Sequence, residues 1–372
     1  MIKVGITGQA GFIGTHLYNF LGIKKDTIIR IPFRDDYFQS YDKLEGFVRE
    51  CDVIVHLAAL NRHNDPQAIY NTNIELVTKL ISAFESTGSK PHVIFSSSIQ
   101  EERDNVFGKS KREGRELLAA WAEKSEALFT GLLIPNVFGP FGNPFYNSVV
   151  ATFSHQLTHN AEPSIEIDAQ LKIIHISDLI SIIYNIIKNK VSARLFNVPY
   201  NSEVRVSEIL HKLKTFKSMY FENGIIPDLD DRFEKNLFNT FLCYMDIENH
   251  FPAKLKVSTD NRGSFVETIK LTSGGQVSFS VTKPGITRGN HFHTRKAERF
   301  VVIKGKALIQ LRRIGTEKIM NFELDGSEPS YVDMPVWHVH NITNVGKDDL
   351  FTIFWINEFF NPEDADTYFE KV

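Results

Sequence analysis

Gly8, Gly11 and Gly14, spaced three apart, constrain the start of this chain more than any other feature. They follow an apolar run, Ile2–Thr7, and lead into Phe12–Leu21, which has helical spacing. A strand that ends in Thr-Gly-x-x-Gly-x-x-Gly and opens a helix must turn tightly. Glycine permits that turn, lets the backbone approach a pyrophosphate, and lets the helix pack closely on the sheet. The helix N-terminus then offers free N–H groups and a partial positive charge. Thr7, Gly8, Gly11, Phe12, Ile13 and Gly14 are therefore read as a dinucleotide cradle, against the plainer reading of a strand–turn–helix without a ligand.

The alternation continues. Thr27–Ile31, Val53–Leu57, Val93–Ser97 and Leu128–Ile134 have strand character, with helix-like stretches near 42–50, 66–86 and 109–124. Alternating β and α elements imply a parallel, doubly wound α/β sheet. From about Asn136 to Tyr244 the texture changes to short mixed elements punctuated by Pro140, Pro144 and Pro163, the expected substrate-facing part of the first domain. His250-Phe251-Pro252 reads as a linker, which gives domains at 1–245 and 252–372.

Beyond Pro252 the helical signal nearly vanishes. Val277–Val281, Phe300–Ile303, Ala307–Leu311, Lys318–Phe322 and Leu350–Trp355 are short β-type runs separated by glycine-containing turns. This is the pattern of an all-β jelly roll. Within it, His291, His293, Glu298 and His340 stand at offsets that can gather around one metal. Residues two apart on a strand point the same way, so His291 and His293 converge. Imidazole and carboxylate suit zinc or another divalent transition metal rather than calcium. His338, two residues before His340, is open as a ligand, a proton shuttle or a surface histidine.

Composition excludes several classes of function. With 372 residues, 42% hydrophobic and 23% charged, the chain can build two ordinary globular domains. A net charge of −3 without a long Lys/Arg run argues against a nucleic-acid partner. The two cysteines are too few for a disulfide framework. No apolar run reaches the roughly 18 residues a membrane span needs. Met1-Ile2-Lys3-Val4 runs straight into a strand, so no signal peptide is expected and cytoplasm is the default location.

The residues after the second strand bear on the cofactor. An NAD site usually places an acidic residue there, whereas this chain has Arg30-Ile31-Pro32-Phe33-Arg34. Arg34 can receive a 2′-phosphate, which favours NADP(H); the alternative is a solvated arginine.

Together with the glycine turn, His56-Leu57-Ala58-Ala59, Ser96-Ser97-Ser98, Lys111 and Asn136-Val137-Phe138-Gly139-Pro140 resemble the extended short-chain dehydrogenase/reductase family over about residues 1–240. The resemblance implies a Rossmann-type fold and puts Leu57 and Ala58 beside the cofactor. It also implies Ser98 in the role of the catalytic serine, with Ser97 the near alternative, and Lys111 as the catalytic lysine. The family's tyrosine belongs four residues before that lysine, and Phe107 stands there. Phenylalanine keeps the ring and removes the transferable proton. Loss of a general acid typically costs about 10²–10⁴-fold in rate.

In the second half, Gly289-Asn290-His291-Phe292-His293 with Glu298, and Pro335-Val336-Trp337-His338-Val339-His340-Asn341, resemble the two cupin motifs, with Trp337 where a glycine is usual. Asp260 to Glu267 and Arg288-Gly289-Asn290-His291 are similar to segments of cupin-type deoxysugar 3,5-epimerases. That likeness implies substrate contacts from Arg262, Phe265, Glu267 and Arg288, and casts His291 as proton-abstracting base. His291 thus has two competing roles, base and metal ligand.

Taken whole, the chain resembles the bifunctional capsular-polysaccharide enzymes on the route to UDP-N-acetyl-L-fucosamine. Further matches are Ser96-Ser97-Ser98-Ile99-Gln100, Tyr146-Asn147-Ser148-Val149 and Asp366-Thr367-Tyr368-Phe369, with Asn147 implied as a substrate contact. The resemblance implies a UDP-sugar substrate, epimerisation at C3 in the cupin half, NADPH reduction at C4 in the first half, and a homodimer. Two other readings stand beside it: a nucleotide-sugar 3,4-ketoisomerase with a scaffold first domain, and a non-catalytic sugar-nucleotide binder.

Overall fold

The computed structural model describes residues 1–272 and 274–372. The chain forms two compact units, neither continuous in sequence: 1–137 with 171–203, and 138–170 with 204–372. Segments 138–170 and 204–251 belong to the unit that holds the β-rich half.

The first unit is the expected parallel sheet. Its strands are β1 (Ile2–Thr7), β2 (Ile28–Ile31), β3 (Val53–His56), β4 (His92–Ser98) and β5 (Phe129–Ile134). Helices α1 (Phe12–Ile23), α2 (Tyr41–Glu50), α3 (Pro66–Thr87) and α4 (Val106–Ser125) connect them. The sheet order is β2-β1-β3-β4-β5, then the strand Ala193–Asn197, and every pairing is parallel. Strand order reverses between β1 and β3. In doubly wound sheets such a switch point opens a crevice at the strand C-termini.

Each sheet face is buried under helices, which is why these strands read as unbroken apolar runs. One core layer joins Phe47, Ile54, Leu80, Phe84, Phe95 and Trp121; the other joins Val4, Ile6, Leu17, Val55, Ile94 and Leu132. Boundaries follow local chemistry. Asp65 caps α3, accepting from the Gln67 N–H at 2.9 Å, and Pro66 takes its first position. Asn105 caps α4, accepting from the Gly108 N–H at 2.7 Å. That cap starts α4 three residues earlier than the spacing alone suggests.

The stretch expected to hold short mixed elements is more helical than its texture implies. Ile176–Asn189 is a full helix that buries Ile176, Leu179, Ile180, Ile183, Ile186 and Ile187 on one face. Its isoleucines are β-branched and poor helix formers, but their spacing is helical, and burial of that face decides. In the second unit Val149–Thr158, Val206–Phe216 and Arg232–Leu242 are helices as well.

Among the described residues the β-rich half holds two five-stranded sheets, each antiparallel throughout, as a jelly roll requires. One sheet carries Glu298–Lys304 between Ser330–Met334 and Leu350–Ile356. The other carries His338–Asn344 between Lys306–Arg313 and Thr287–Phe292. Val301, Ile309, Leu311, Val332, Val339 and Leu350 fill the interior. Among the described residues no helix is long and apolar enough to cross a membrane.

Candidate functional site

The glycine turn lies at the switch point of the first sheet, between the C-termini of β1 and β3. Gly8 has φ +69°, and a Cβ there would lie 2.7 Å from the Ala58 backbone nitrogen. A Cβ on Gly14 would lie 2.2 Å from the Gly8 carbonyl oxygen. Only glycine allows this approach of three backbone segments. Thr7 ties the two strands: its carbonyl accepts from the Leu57 N–H at 3.2 Å and its hydroxyl contacts His56 Nδ1 at 2.6 Å. No side chain caps the N-terminus of α1, which begins at Phe12 and Ile13 after Gly11. The start of α1 thus keeps N–H groups that no side chain caps, as an anion site at a helix N-terminus requires.

Arg34 is exposed and pairs with Asp36 at 3.2 Å. Ser98 ends β4, and its hydroxyl accepts from the Gln100 N–H at 3.2 Å. Ser97 is turned inward and donates to Glu101, which is itself held by Arg115 at 2.9 Å. Of the two serines, Ser98 is the more exposed.

Lys111 is buried. Its ammonium lies 4.8 Å from the Phe95 ring centre and 5.9 Å from that of Phe107, with a long 3.5 Å contact to the Ser96 hydroxyl. Burial lowers its pKa to about 8, against the opposing pull of Glu101. Phe107 occupies the first turn of α4, one helical turn before Lys111.

In the β-rich half the four predicted ligands meet. The nearest donor atoms of His291, His293, Glu298 and His340 all lie within 4.8 Å of one another. A bulge makes this possible. Gly289 faces Asn341, yet His291 faces His340, so Asn290 is extruded, with φ +58°. Without the extra residue His291 would point to the opposite face.

The tautomers follow from the partners. His293 Nδ1 lies 2.6 Å from the Asp366 carbonyl and His340 Nδ1 lies 3.1 Å from the His338 carbonyl. A carbonyl only accepts, so each Nδ1 carries hydrogen and each Nε2 is left for the interior. Those Nε2 atoms stand 3.3 Å and 3.0 Å from the same Glu298 oxygen. All three atoms are buried with no hydrogen-bond partner among the described residues. Lone pairs facing a carboxylate are tolerable only with a cation or protons between them, so the donor set fits a divalent transition metal.

Burial alone would raise the Glu298 pKa, but His293 and His340 hold it well below the usual carboxylate range. Burial opposes charge on His293, and Glu298 outweighs it, so the His293 pKa is raised. Burial, with its histidine neighbours, lowers His291 to about 4.

The remaining predicted residues lie elsewhere. His338 is buried outside the four-residue group, its Nδ1 donating to the Val336 carbonyl at 3.0 Å and its ring 5.9 Å from that of Phe141. Burial lowers its pKa to about 4. Arg262 sits at the tip of the hairpin Val257–Val266, paired with Asp260 at 2.6 Å. Phe265 is exposed on the same hairpin, and Glu267 pairs with Lys270 at 3.2 Å. Arg288 donates to Thr282 at 3.0 Å and to the Val281 carbonyl at 3.2 Å. Asn147 is exposed.

Sequence reasoning gave no role to Asp366 or Glu101. Asp366 is 73 positions from His293, and no local spacing could reveal that contact.

Comparison with known proteins places both halves. Residues 4–198 match the NAD dependent epimerase/dehydratase family, and residues 258–368 match the polysaccharide biosynthesis C-terminal domain. The chain is 34% identical over 370 residues to a UDP-2-acetamido-2,6-beta-L-arabino-hexul-4-ose reductase of Pseudomonas aeruginosa, covering 99% of this chain and 98% of that one. It resembles the crystal structure of the capsular polysaccharide assembling protein CapF of Staphylococcus aureus, with 34% identity, full coverage of both chains and a TM-score of 0.64. RMD of Pseudomonas aeruginosa, at 19% identity and a TM-score of 0.53, covers 59% of this chain and 83% of its own length, and shares the fold.

The converging donors predict one bound metal per chain. Elemental analysis of the purified protein is expected to find it. His293→Ala and His340→Ala are each expected to lower its affinity at least about 10-fold. Full retention by both variants would contradict the assignment.

Proposed function

The chain belongs to the NAD dependent epimerase/dehydratase family, and from that premise we propose that it modifies a UDP-linked 4-keto-6-deoxy-hexosamine for polysaccharide synthesis. The β-rich half epimerises C3, and the first half reduces the C4 ketone with NADPH. The observation that carries this reading is the end-to-end similarity, through both halves, to a reductase of a UDP-linked 4-ulose. The domains we assign to the two steps are 252–372 and 1–245.

The chemistry is coherent. A C4 ketone acidifies the C3 proton, so a neutral base on one face of C3 can remove it, and inversion follows when an acid on the opposite face delivers a proton to the enolate carbon. His291 is held neutral at physiological pH by burial, as that role requires. His291, His293, Glu298 and His340 would hold the metal, which would supply Lewis-acid stabilisation of negative charge. His291 cannot offer one lone pair to both tasks at once; base and ligand remain alternative roles for it. Arg262, Phe265, Glu267, Arg288 and Asn147 are the proposed substrate contacts, with His338 an accessory proton carrier.

In the first half the cradle Thr7–Gly14, with Leu57 and Ala58, binds the dinucleotide. Arg34 is exposed and free to meet a 2′-phosphate in exchange for Asp36. NADPH supplies the hydride. Ser98 orients the ketone and Lys111 holds the ribose, while Phe107 presents no proton.

We also propose a homodimer in the cytoplasm. Gln276–Thr282 is an edge strand with Val277 55% and Phe279 58% exposed, an apolar edge that a second copy would cover. Light scattering that gives the mass of one chain at micromolar concentration would remove that part of the reading.

Epimerisation is expected to incorporate deuterium at C3 when the protein meets a UDP-4-keto-sugar in deuterated water, with the ketone retained at C4. Migration of the ketone to C3 would indicate a 3,4-ketoisomerase instead, and no exchange a binder.

Reduction is expected to be slow in this chain and to rise about 10²-fold or more in Phe107→Tyr, read as NADPH oxidation with the epimerised keto-sugar. NADH is expected to serve less well, and Arg34→Ala to narrow that difference. A brisk rate that tyrosine does not improve would mean another group supplies the proton.

A further inference from the structure

Two of the proposed ligands, His293 and Glu298, are joined by a turn that a distant residue organises. The backbone N–H groups of Thr294, Arg295 and Lys296 donate to the Asp366 carboxylate at 3.2, 2.9 and 3.2 Å. The Thr294 hydroxyl adds a fourth bond at 2.6 Å. Consecutive N–H groups converging on one anion form a nest, a backbone site for negative charge. Asp366 fills it from the C-terminal segment and is itself buried, 5% exposed.

The same residue touches a ligand directly. Its carbonyl accepts the His293 Nδ1–H at 2.6 Å. Asp366 adopts φ +44° there, a left-handed conformation uncommon for a non-glycine residue. Neighbouring contacts hold the segment in place. The buried Lys296 ammonium donates to the Ala365 carbonyl at 2.8 Å, and Arg295 pairs with Asp364 at 2.8 Å. Tyr368–Phe369 then pairs with the strand that carries His291.

We propose that Asp366 is a positioning residue of the metal centre. Its carboxylate sets the 294–296 turn, and through that anchor its carbonyl fixes the His293 tautomer that leaves Nε2 to the metal. The inference rests on the reading that His291, His293, Glu298 and His340 hold a metal. Partners of this kind set the orientation and basicity of ligating histidines, and their removal typically costs about 10–100-fold in metal affinity.

A plain structural clamp would also weaken the fold when cut, so the test must run through His293. Zinc affinity is measured on the full chain by competition with a chromophoric chelator, for the unmodified protein, Asp366→Ala, Asp366→Asn, His293→Ala and the two double variants. Asp366→Ala is expected to lose about 10–100-fold in affinity. Asp366→Asn, which keeps one acceptor oxygen, is expected to lose less, and it decides the matter should the alanine variant not fold. In the His293→Ala background most of either cost should disappear. Equal affinity in both Asp366 variants, or a cost unchanged by the absence of His293, overturns the inference while leaving the metal reading intact. An unmodified protein that binds no zinc overturns the metal reading and this inference with it.

Discussion

A buried carboxylate facing two imidazole lone pairs is the arrangement on which the β-rich half depends. Glu298 projects into the barrel with His293 Nε2 and His340 Nε2 at 3.3 and 3.0 Å. Burying a charge without compensation is costly, and burying it against lone pairs is worse. The surrounding backbone nevertheless enforces this arrangement. Carbonyls of Asp366 and His338 hold both rings with Nε2 inward, and the bulge at Asn290 brings His291 to the same face. Strand register, tautomer and tail position all serve one point in space. Such a point is chemically suited to a cation.

The first half poses the opposite case, a site whose supports outlast one working atom. The glycine cradle is sterically committed, since a Cβ on Gly14 would meet the Gly8 carbonyl oxygen at 2.2 Å. Lys111 remains buried at the foot of Phe107, and burial keeps its pKa near 8. Glu101 tempers that effect, and Arg115 engages it at 2.9 Å. The electrostatic setting that would activate a phenol is therefore present, and the ring beside it carries no hydroxyl.

The sequence was most legible where periodicity and steric need coincide. The glycine turn, the order of strands and helices through β5, and the four converging ligands were readable because each rests on local spacing. The helix Ile176–Asn189 was harder, because its β-branched residues argue for strand while their positions argue for helix. Least legible were contacts between distant segments. Asp366 supports His293 from 73 positions away, and Arg299 pairs in register with Asp333 at 2.8 Å inside the barrel sheet, with Tyr220 as a further partner. Nothing in the local pattern around Arg299 or Asp333 marks them as buried. Only the pairing of their two strands shows that each compensates the other. Compactness was equally hidden: the segments 138–170 and 204–251 leave no compositional sign of the unit they join.

The two departures from family pattern, Phe107 and Trp337, therefore carry different weight. Trp337 stands where a glycine is usual and adopts φ +61°. For a bulky residue that conformation costs roughly 1–3 kcal/mol. Its backbone N–H donates to the His293 carbonyl at 2.7 Å, and its indole stacks on Phe292 with ring centres 5.8 Å apart. Trp337 is 8% exposed, and burying an aromatic ring of that size offsets the strain. The turn survives the substitution, and the bond it makes pins His293 from its carbonyl side while Asp366 pins its ring. A side chain that only shapes a turn can be replaced when packing compensates. At position 107 packing can restore the ring's place but not its proton, because no neighbouring contact changes what a phenylalanine can donate.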